Sequence, residues 1–330
     1  MLENEHTRWH EAMSTGEQGN WWQKWGYLPS PPDPRDYPLS RIAEPARLPK
    51  AVRMDGLVVK VLDQGYCGSC VGKATNGIVS AGHRKALSSL YIYTRCKQED
   101  GIPNTQGTYP RVALKVVHNE GACPDSMLPY SRLVDCLSFP AITDAMKAAA
   151  DPYKAKAYAR LYSIDEIKTA LHNGKMVLGG LLVTDSFMFY DGNGVIPVPQ
   201  GRIYGGHAIV ICGYDDERKA LRGLNSWGKG WGDNGFFWLS YDFMNWKSDI
   251  GMLAWMEGWA VDMDMPVQKT EIRMWVGDKT ALVNGTEVEL DVPPRIVNGR
   301  TLVPIRFVAE AMGYQVDWFA DTKEIRIRQR

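Results

Sequence analysis

Three absences limit what this protein can be. The 330 residues contain no apolar run of the roughly 18 residues that cross a bilayer, so the sequence predicts no transmembrane segment. Lysine and arginine number 38, and aspartate and glutamate also number 38, so the chain lacks the basic excess with which nucleic-acid-binding proteins neutralise phosphates. Six cysteines are too few for a disulfide framework in a chain of this length. We expect a soluble globular protein of about two domains that binds no nucleic acid.

The N-terminal 47 residues lack both a secretory signal and a regular core element. The first twenty residues contain no apolar segment, so cytoplasmic location is the default expectation. Prolines crowd residues 29–38, and each fixes its φ angle and removes an N–H donor. We interpret residues 1–47 as a proline-rich leader or strap that runs extended over the surface. The alternative is that this strap occludes a functional cleft.

The rest of the chain changes composition twice. In residues 48–262, apolar helical runs come first and short Gly-bounded runs rich in β-branched and aromatic residues follow. This order favours an α+β domain of two subdomains. Residues 263–270 are predicted to be a linker. Residues 271–330 carry Asn-Gly pairs at 284–285 and 298–299, which predict two hairpins in a small α+β module. That module contains no Cys and no His, which excludes thiol chemistry and His-based metal binding there.

The segment QGYCGSC, residues 64–70, combines a thiol with features that activate it. Cys70 directly precedes a predicted helix, whose unpaired N–H groups and positive dipole end stabilise a thiolate. The backbone N–H of Cys70 can also point at a developing oxyanion. His207 opens an apolar strand and supplies a proton partner. Asn225 can accept from that imidazole, with the adjacent indole of Trp227 as a shield.

Cys67 and Cys70 also form a C-x-x-C pair, which is the pattern of half a zinc site or of a redox pair. No second C-x-x-C follows to complete a set of four ligands, and we interpret His6 and His10 as solvated or structural residues. The sequence therefore predicts no metal site, and catalysis by the thiol is the preferred interpretation.

Together these motifs resemble the papain-like (C1 family) cysteine peptidases of bacterial type. The resemblance covers about residues 48–259 and rests on three segments in the family's order, QGYCGSC, GGHAIVICGYDD and NSWGKGWGDNGFF. Cys70 and His207 are 137 residues apart (207 minus 70), within the roughly 130 to 150 residues typical of the papain Cys and His. The resemblance implies a helical half and an antiparallel β half with a cleft between them. It also implies a cysteine-type peptidase, a hydrolase of peptide or protein substrates that needs no metal or organic cofactor.

By this resemblance Cys70 is the nucleophile, His207 the general base and acid, and Asn225 the residue that orients His207. Gln64 is the side-chain donor to the oxyanion. The substrate would lie extended along the backbone of Thr108, like an added strand. The residues expected to contact substrate are Gly68, Ser69, Gly107, Thr108, Tyr109, Pro110, Gly180, Gly206, Ala208 and Trp227. The members of this set that would form the pocket are small or apolar, which predicts a hydrophobic P2 residue.

The sequence departs from the family at two positions of the cleft. Val71 stands where the family has an aromatic residue behind the nucleophile, so the packing there must differ. Thr108 stands where the family commonly has a second glycine, which narrows the cleft locally.

The cysteines depart from the family as well. The usual partner of Cys67 is missing near Thr105, so Cys67 bonds elsewhere, with Cys123 as one candidate, or stays reduced. Cys96 and Cys136 stand about where the family has another bridged pair. The resemblance therefore makes these two the first disulfide candidates, although the sequence alone cannot assign connectivity.

Residues 271–330 resemble the copper amine oxidase N-terminal-like, or stalk, domain. In spite of that name, no copper ligand set occurs there. We interpret the module as an interaction or spacer domain with a protein or cell-surface partner, and substrate docking is the alternative. Such modules occur on exported or surface proteins. An exported or cell-surface location is therefore the alternative to the cytoplasmic location expected by default.

The sequence as a whole predicts a cysteine endopeptidase that works through a thioester acyl-enzyme. Two other functions stay open. An amidase or transpeptidase acting on cell-wall peptides would use the same Cys and His, and a catalytically silent binding protein would keep only the fold.

Overall fold

The structure is a computed structural model that describes residues 26–34, 36, 38, 48–248, 251–263, 271–283, 285–312 and 314–329. The chain divides into two compact units, residues 1–266 and 267–330. Of the predicted linker, all but Met263 lies outside the described residues. Among the described residues, no helix combines the length and the apolar character needed to span a bilayer.

Helices predominate in the first half of the larger unit, where α1 (Cys70–His83), α2 (Ser89–Glu99), α3 (Pro110–Asn119) and α4 (Asp144–Ala150) follow one another. Two further helices, α5 (Ile164–His172) and α6 (Asp185–Met188), lie between strands of the second half. In α1 all residues from Cys70 to Ala81 are buried, which makes it the central helix. It ends where Arg84 takes a left-handed conformation with φ of 50°. Pro110 opens α3, a position at which its missing N–H is not needed.

A seven-stranded antiparallel sheet is built mainly from the second half of this unit, and its first strand comes from before the helices. Its strands are β1 (Ala51–Arg53), β2 (Ala157–Leu161), β3 (Val177–Thr184), β4 (Ile203–Asp215), β5 (Ala220–Leu224), β6 (Phe236–Ser240) and β7 (Trp255–Asp262). The strand order is β2-β7-β3-β4-β5-β6, and β1 pairs with β4. All eight residues of β3 are buried, which explains its unbroken apolar sequence. In this register Gly180 of β3 lies between Ala208 of β4 and Glu257 of β7.

The described residues of the smaller unit form hairpins and one short helix. Its elements are β8 (Ile272–Met274), β9 (Thr280–Val283), β10 (Thr286–Glu289), β11 (Arg295–Val297), β12 (Arg300–Leu302), α7 (Ile305–Ala311), β13 (Tyr314–Phe319) and β14 (Glu324–Gln329). Both predicted hairpins form, since β9 pairs with β10 and β11 pairs with β12. Asn298 and Gly299 have positive φ angles, as a tight hairpin turn requires, whereas Asn284 lies outside the described residues. The predicted α+β class is confirmed.

Candidate active site

Cys70 lies at the first position of the central helix α1 and is fully buried. The loop before it is held at two points. Gly68 N–H donates to Gln106 Oε1 at 2.7 Å, and Ser69 Oγ is hydrogen-bonded to the Tyr130 hydroxyl at 2.6 Å. These contacts fix the direction in which the Cys70 side chain leaves the helix.

A disulfide bond fastens the same loop. Cys67 is bonded to Cys136, with their Cα atoms 5.3 Å apart. The predicted bridge between Cys96 and Cys136 is therefore wrong, and so is the alternative between Cys67 and Cys123, because Cys96 and Cys123 are free and buried. Cys96 lies on α2 within the hydrophobic core, whereas Cys136 lies in a loop that packs beside the loop before α1. Spacing along the chain does not reveal which loops meet in this way.

His207 and Asn225 are joined by a hydrogen bond of 2.8 Å between Nε2 and Oδ1. The same oxygen accepts from the N–H of Ser226 at 2.7 Å, so the oxygen of the amide faces the imidazole. Nε2 therefore donates, and the lone pair lies on Nδ1. Nδ1 is buried and has no hydrogen-bond partner among the described residues. His207 is thus held in the tautomer that can take up a proton at Nδ1.

Cys70 and the residue after His207 meet where α1 packs against β4. The backbone of Ala208, the residue after His207, hydrogen-bonds to the Cys70 sulfur. Burial raises the pKa of Cys70 to about 12, although backbone hydrogen bonds from Ala208, Val71 and Cys70 itself oppose the shift. Burial also lowers the pKa of His207 to about 4, against the effect of the hydrogen bond to Asn225. Both groups are therefore neutral at pH 7 in this structure.

Aromatic rings cover the hydrogen bond between His207 and Asn225. The ring centroids of His207 and Trp227 are 4.8 Å apart, with the planes tilted by 31°. Phe187 contacts both rings edge-on, at centroid distances of 6.3 and 5.6 Å. Rings in these positions exclude water and so strengthen the hydrogen bond that orients His207.

Gln64 reaches the site through its pairing with Ser226, the residue after Asn225. Its N–H donates to the Ser226 carbonyl at 2.9 Å, and its Oε1 accepts from Ser226 Oγ at 2.8 Å. Nε2 of Gln64 donates to the carbonyl of Cys67 at 3.1 Å. One of the two amide protons is used in this way, and the second remains for another acceptor.

The N-terminal strap pairs, at residues 26–28, with the edge predicted to bind substrate. The Gly26 carbonyl accepts from the N–H of Thr108, and the N–H of Leu28 donates to the Thr108 carbonyl, both at 3.2 Å. Tyr27 is therefore paired with Thr108 as in two parallel strands. The backbone groups of Thr108 that would bind an extended substrate are occupied by the chain itself.

Gly26 of the strap lies against the loop that precedes Cys70. Its φ angle is +84°, and a Cβ at this position would overlap the carbonyl of Gly68. A Cβ on Gly107 would lie 2.8 Å from backbone atoms of Gly26. Only a residue without a side chain can pass between Gly68 and Gly107 in this conformation.

The next residue of the strap fills a pocket. The Tyr27 side chain is fully buried, and a Cβ added to Gly180 or to Gly206 would overlap its ring. The phenol hydroxyl donates to Oε1 of Glu257 at 2.9 Å. Burial first, and then the charge of Glu257, raise the pKa of Tyr27 well above its ordinary value, so the hydroxyl keeps its proton.

Glu257 forms the floor of this pocket and is buried with four donors around it. Oε1 also accepts from the N–H of Ser30 at 3.0 Å, while Oε2 accepts from Trp259 Nε1 at 2.8 Å and forms an ion pair with Arg160. Burial alone would raise the pKa of Glu257, but the charge of Arg160 and these hydrogen bonds lower it, so the carboxylate is ionised. We did not predict this site from the sequence. One signal was present, a single acidic residue inside the apolar strand WMEGWAV, because such a residue must find partners when buried.

Arg111, near the start of α3, holds the strap further along. Its backbone N–H donates to Ser30 Oγ at 3.1 Å, and its Nε donates to Asp36 Oδ1 at 2.9 Å. The guanidinium also bonds to the carbonyl of Pro31. The strap is therefore attached at Thr108, Glu257 and Arg111.

The remaining predicted substrate residues lie beside these contacts. Tyr109 and Pro110 follow Thr108 at the start of α3, and Pro110 is buried. The substrate-binding roles assigned to these residues stay predictions.

Known proteins resemble this chain in both units. The papain family cysteine protease model matches residues 49–253, and the copper amine oxidase N-terminal domain model matches residues 261–327. The chain therefore belongs to the papain family of cysteine proteases and carries a C-terminal copper amine oxidase N-terminal domain. The predicted family and the class of cysteine-type peptidase are confirmed.

Individual relatives support the same assignment. The structure of xylellain, a cysteine protease from Xylella fastidiosa, is 26% identical with a TM-score of 0.61 and covers 73% of this chain and 96% of that one. An uncharacterized peptidase C1-like protein of Acanthamoeba polyphaga mimivirus is 26% identical over 257 residues, which are 67% of this chain and 83% of that protein. A cathepsin B-like protein of Giardia intestinalis is 29% identical over 196 residues, 54% of this chain and 64% of its own length.

Proposed function

We propose that the chain is a cysteine endopeptidase whose reacting groups are Cys70, His207 and Asn225, with Gln64 as oxyanion donor. The observation that carries the proposal is the hydrogen bond from His207 Nε2 to Asn225 Oδ1. This hydrogen bond leaves the lone pair of His207 Nδ1 available. The backbone of the next residue, Ala208, hydrogen-bonds to the Cys70 thiol. A base in the right tautomer beside a thiol at a helix N-terminus is the arrangement that nucleophilic catalysis requires.

The proposed reaction proceeds in two stages. His207 Nδ1 takes the thiol proton, and the Cys70 thiolate attacks the carbonyl carbon of the scissile peptide. The backbone N–H of Cys70 and the second amide proton of Gln64 stabilise the oxyanion. His207 then gives its proton to the leaving amine, which departs as the thioester forms. In the second stage His207 removes a proton from water, the resulting hydroxide attacks the thioester, and the acid leaves as the thiol is restored.

We further propose that the folded chain is latent because its own strap fills the cleft. Three observations support this proposal: the pairing of Tyr27 with Thr108, the contact of Gly26 with Gly68, and the burial of Cys70. With the strap in place, the high pKa of the thiol and the low pKa of His207 disfavour the thiolate–imidazolium pair that would react. Displacement of the strap admits both water and substrate.

The peptidase class implies peptide or protein substrates, and we propose that a hydrophobic residue is accepted at P2. Gly180 and Gly206 support this, because they leave space for a ring in the pocket beside His207. For the C-terminal unit we propose the role of an interaction or spacer domain. Its support is the number of large apolar side chains exposed on its described part, among them Trp275, Trp318 and Phe319.

Active-site titration with an epoxide inhibitor tests the catalytic proposal. We expect one equivalent to label Cys70, and we expect Cys70→Ala to abolish both labelling and hydrolysis while the circular dichroism spectrum is unchanged. Cys212→Ala is the matched control, because Cys212 is a buried free cysteine of β4 outside the site. Comparing the rate of casein hydrolysis with the rate of hydrolysis of peptidoglycan fragments distinguishes an endopeptidase from a cell-wall amidase. Undiminished hydrolysis by Cys70→Ala would refute the assignment.

A further inference from the structure

The pocket that holds Tyr27 is apolar at its walls and ionic at its floor. Gly180 and Gly206 contact the ring from β3 and β4, and Met256 lies near Gly206. Beyond the ring, the hydroxyl reaches the carboxylate of Glu257. A purely hydrophobic side chain would match the walls of this pocket and leave its floor without a partner.

The two oxygens of Glu257 have different partners. Oε2 is bound by Trp259 of β7 and Arg160 of β2, so both of its partners belong to the sheet. Oε1 is bound by the Tyr27 hydroxyl and by the N–H of Ser30, both of which belong to the strap. When the strap leaves, Oε1 loses both donors, and a residue that enters the pocket must replace them.

We propose that this pocket is a specificity site for a phenolic side chain, in which Glu257 Oε1 accepts the hydroxyl of a substrate tyrosine at P2. The inference rests on the proposed peptidase function. In this account Tyr27 occupies the pocket in the latent chain because it presents the same group as the preferred substrate. Glu257 and Arg160 are then specificity-determining residues of the reaction.

Two other kinds of side chain fit less well. Phenylalanine fills the same space but leaves a buried carboxylate oxygen without a donor, and sites built to bind a hydroxyl discriminate strongly against analogues that lack it. Lysine or arginine would be attracted by an isolated carboxylate, but Arg160 already compensates the charge of Glu257. A tyrosine supplies both the ring and the neutral donor.

The first test measures binding without catalysis and uses the full chain. Tyr27→Gly removes the phenol and leaves a cavity of its shape. We expect p-cresol to raise the melting temperature of this variant by several degrees and toluene, its matched control, to have little effect. In a chain that also carries Glu257→Met and Arg160→Met, which replace the ion pair without leaving one charge unpaired, we expect the order of the two compounds to reverse. Equal effects of p-cresol and toluene on Tyr27→Gly would overturn the inference.

The second test measures selectivity on the same full-length Tyr27→Gly variant. Fluorogenic peptides that differ only in Tyr, Phe, Leu or Arg at P2 are compared by kcat/KM. We expect Tyr to exceed Phe by about tenfold or more, which corresponds to about 1.4 kcal/mol. A kcat/KM for the Phe, Leu or Arg peptide that equals or exceeds that for the Tyr peptide would overturn the inference. If p-cresol binds selectively but no peptide is cleaved, the pocket stands and the proposed peptidase function fails.

A milder variant keeps the inference testable if Tyr27→Gly does not fold. Tyr27→Phe in the full chain removes one oxygen atom and leaves the packing of the ring unchanged. We expect a lower melting temperature and an increase of about tenfold in basal turnover, since the strap loses its hydrogen bond to a buried carboxylate. An unchanged melting temperature would show that the hydroxyl contributes nothing at this floor and would refute the proposal.

Discussion

Gly26 and Gly68 lie in backbone contact, so the N-terminal strap touches the loop that carries Cys70. A Cβ on Gly26 would overlap the Gly68 carbonyl, and a Cβ on Gly68 would lie 2.9 Å from the Cα of Gly26. Cys70 follows Gly68 by two residues, so the strap lies close to the proposed nucleophile. In the proposed mechanism, the strap and a substrate would therefore compete for the same part of the cleft.

Replacement of Gly26 by alanine is predicted to release the strap. The new methyl group meets the Gly68 carbonyl, and the φ angle of +84° is unfavourable for any residue with a Cβ. We expect Gly26→Ala to raise the basal hydrolysis of a fluorogenic peptide by about tenfold or more.

Gly194→Ala is the matched control for this substitution. Gly194 has a similar φ angle of +69°, but no atom lies within 4 Å of its added Cβ. It therefore carries the backbone strain without the overlap, and its activity should equal that of the unmodified chain. Equal activity of Gly26→Ala and Gly194→Ala would contradict strap inhibition.

The reactivity of Cys70 is predicted to depend on pH differently in the covered and released states. In the covered chain, burial raises the pKa of Cys70 to about 12, so almost none of the thiol is ionised at pH 7 and alkylation should increase continuously up to pH 10. Release of the strap lets water reach the thiol and His207, so Gly26→Ala should react with iodoacetamide at pH 6 to 7. Peptide mass mapping between pH 5 and 10 measures both profiles, with Cys70→Ala as the blank. Superimposable profiles would argue against a strap that controls ionisation.

The proposed reacting residues could be assigned from the sequence because each lies in a local motif. Cys70 follows a glycine-containing loop at a helix start, His207 lies within the apolar strand β4, and Asn225 directly follows β5. The contact between Tyr27 and Glu257 could not be predicted, since it joins residues 230 positions apart in a single hydrogen bond.

The disulfide partners were predicted wrongly because they too are distant in the sequence. Cys67 and Cys136 lie in two loops, and only the packing of those loops brings them together, whereas Cys96 is turned into the core by α2. Contacts between irregular segments depend on the whole fold and leave no periodic pattern in the sequence.

The bridge between Cys67 and Cys136 is predicted to stabilise the folded chain. It closes a loop with a sequence separation of 69, so chain-entropy arguments give about 4 kcal/mol for its removal. We expect Cys136→Ser, in a Cys70→Ala background that prevents autolysis, to lower the unfolding free energy by about 2 to 4 kcal/mol in urea.

Dithiothreitol provides the internal control. It should reduce the stability of the parent Cys70→Ala chain to that of the Cys136→Ser variant and leave the variant unchanged. A parent chain that is insensitive to the reductant would show that the bridge contributes little.

Lys73 is predicted to destabilise the folded chain at neutral and acid pH. It lies on α1 one turn after Cys70, is buried, and places Nζ 3.0 Å from the centroid of the Tyr130 ring. Burial lowers the pKa of Lys73 to about 7, against the opposing charges of Asp125 and Asp63. In the unfolded chain the pKa of a lysine is about 10.4, so between these values the unfolded state binds more protons and stability rises with pH. Below pH 7 both states are protonated and the full penalty of burying the ammonium applies.

Lys73→Met removes this penalty and should therefore raise the unfolding free energy most at low pH. We expect a gain of about 2 to 4 kcal/mol at pH 6, measured by urea unfolding in the Cys70→Ala background, and a smaller gain at pH 9.5, where the folded lysine is already neutral. Lys85→Met is the control, because Lys85 also lies over a tyrosine ring, that of Tyr153, but is exposed. A gain that is the same at both pH values would mean that Lys73→Met acts through packing alone. A loss at pH 6 would mean that the contact of the ammonium with the Tyr130 ring outweighs its desolvation, and the sign of the prediction would be wrong.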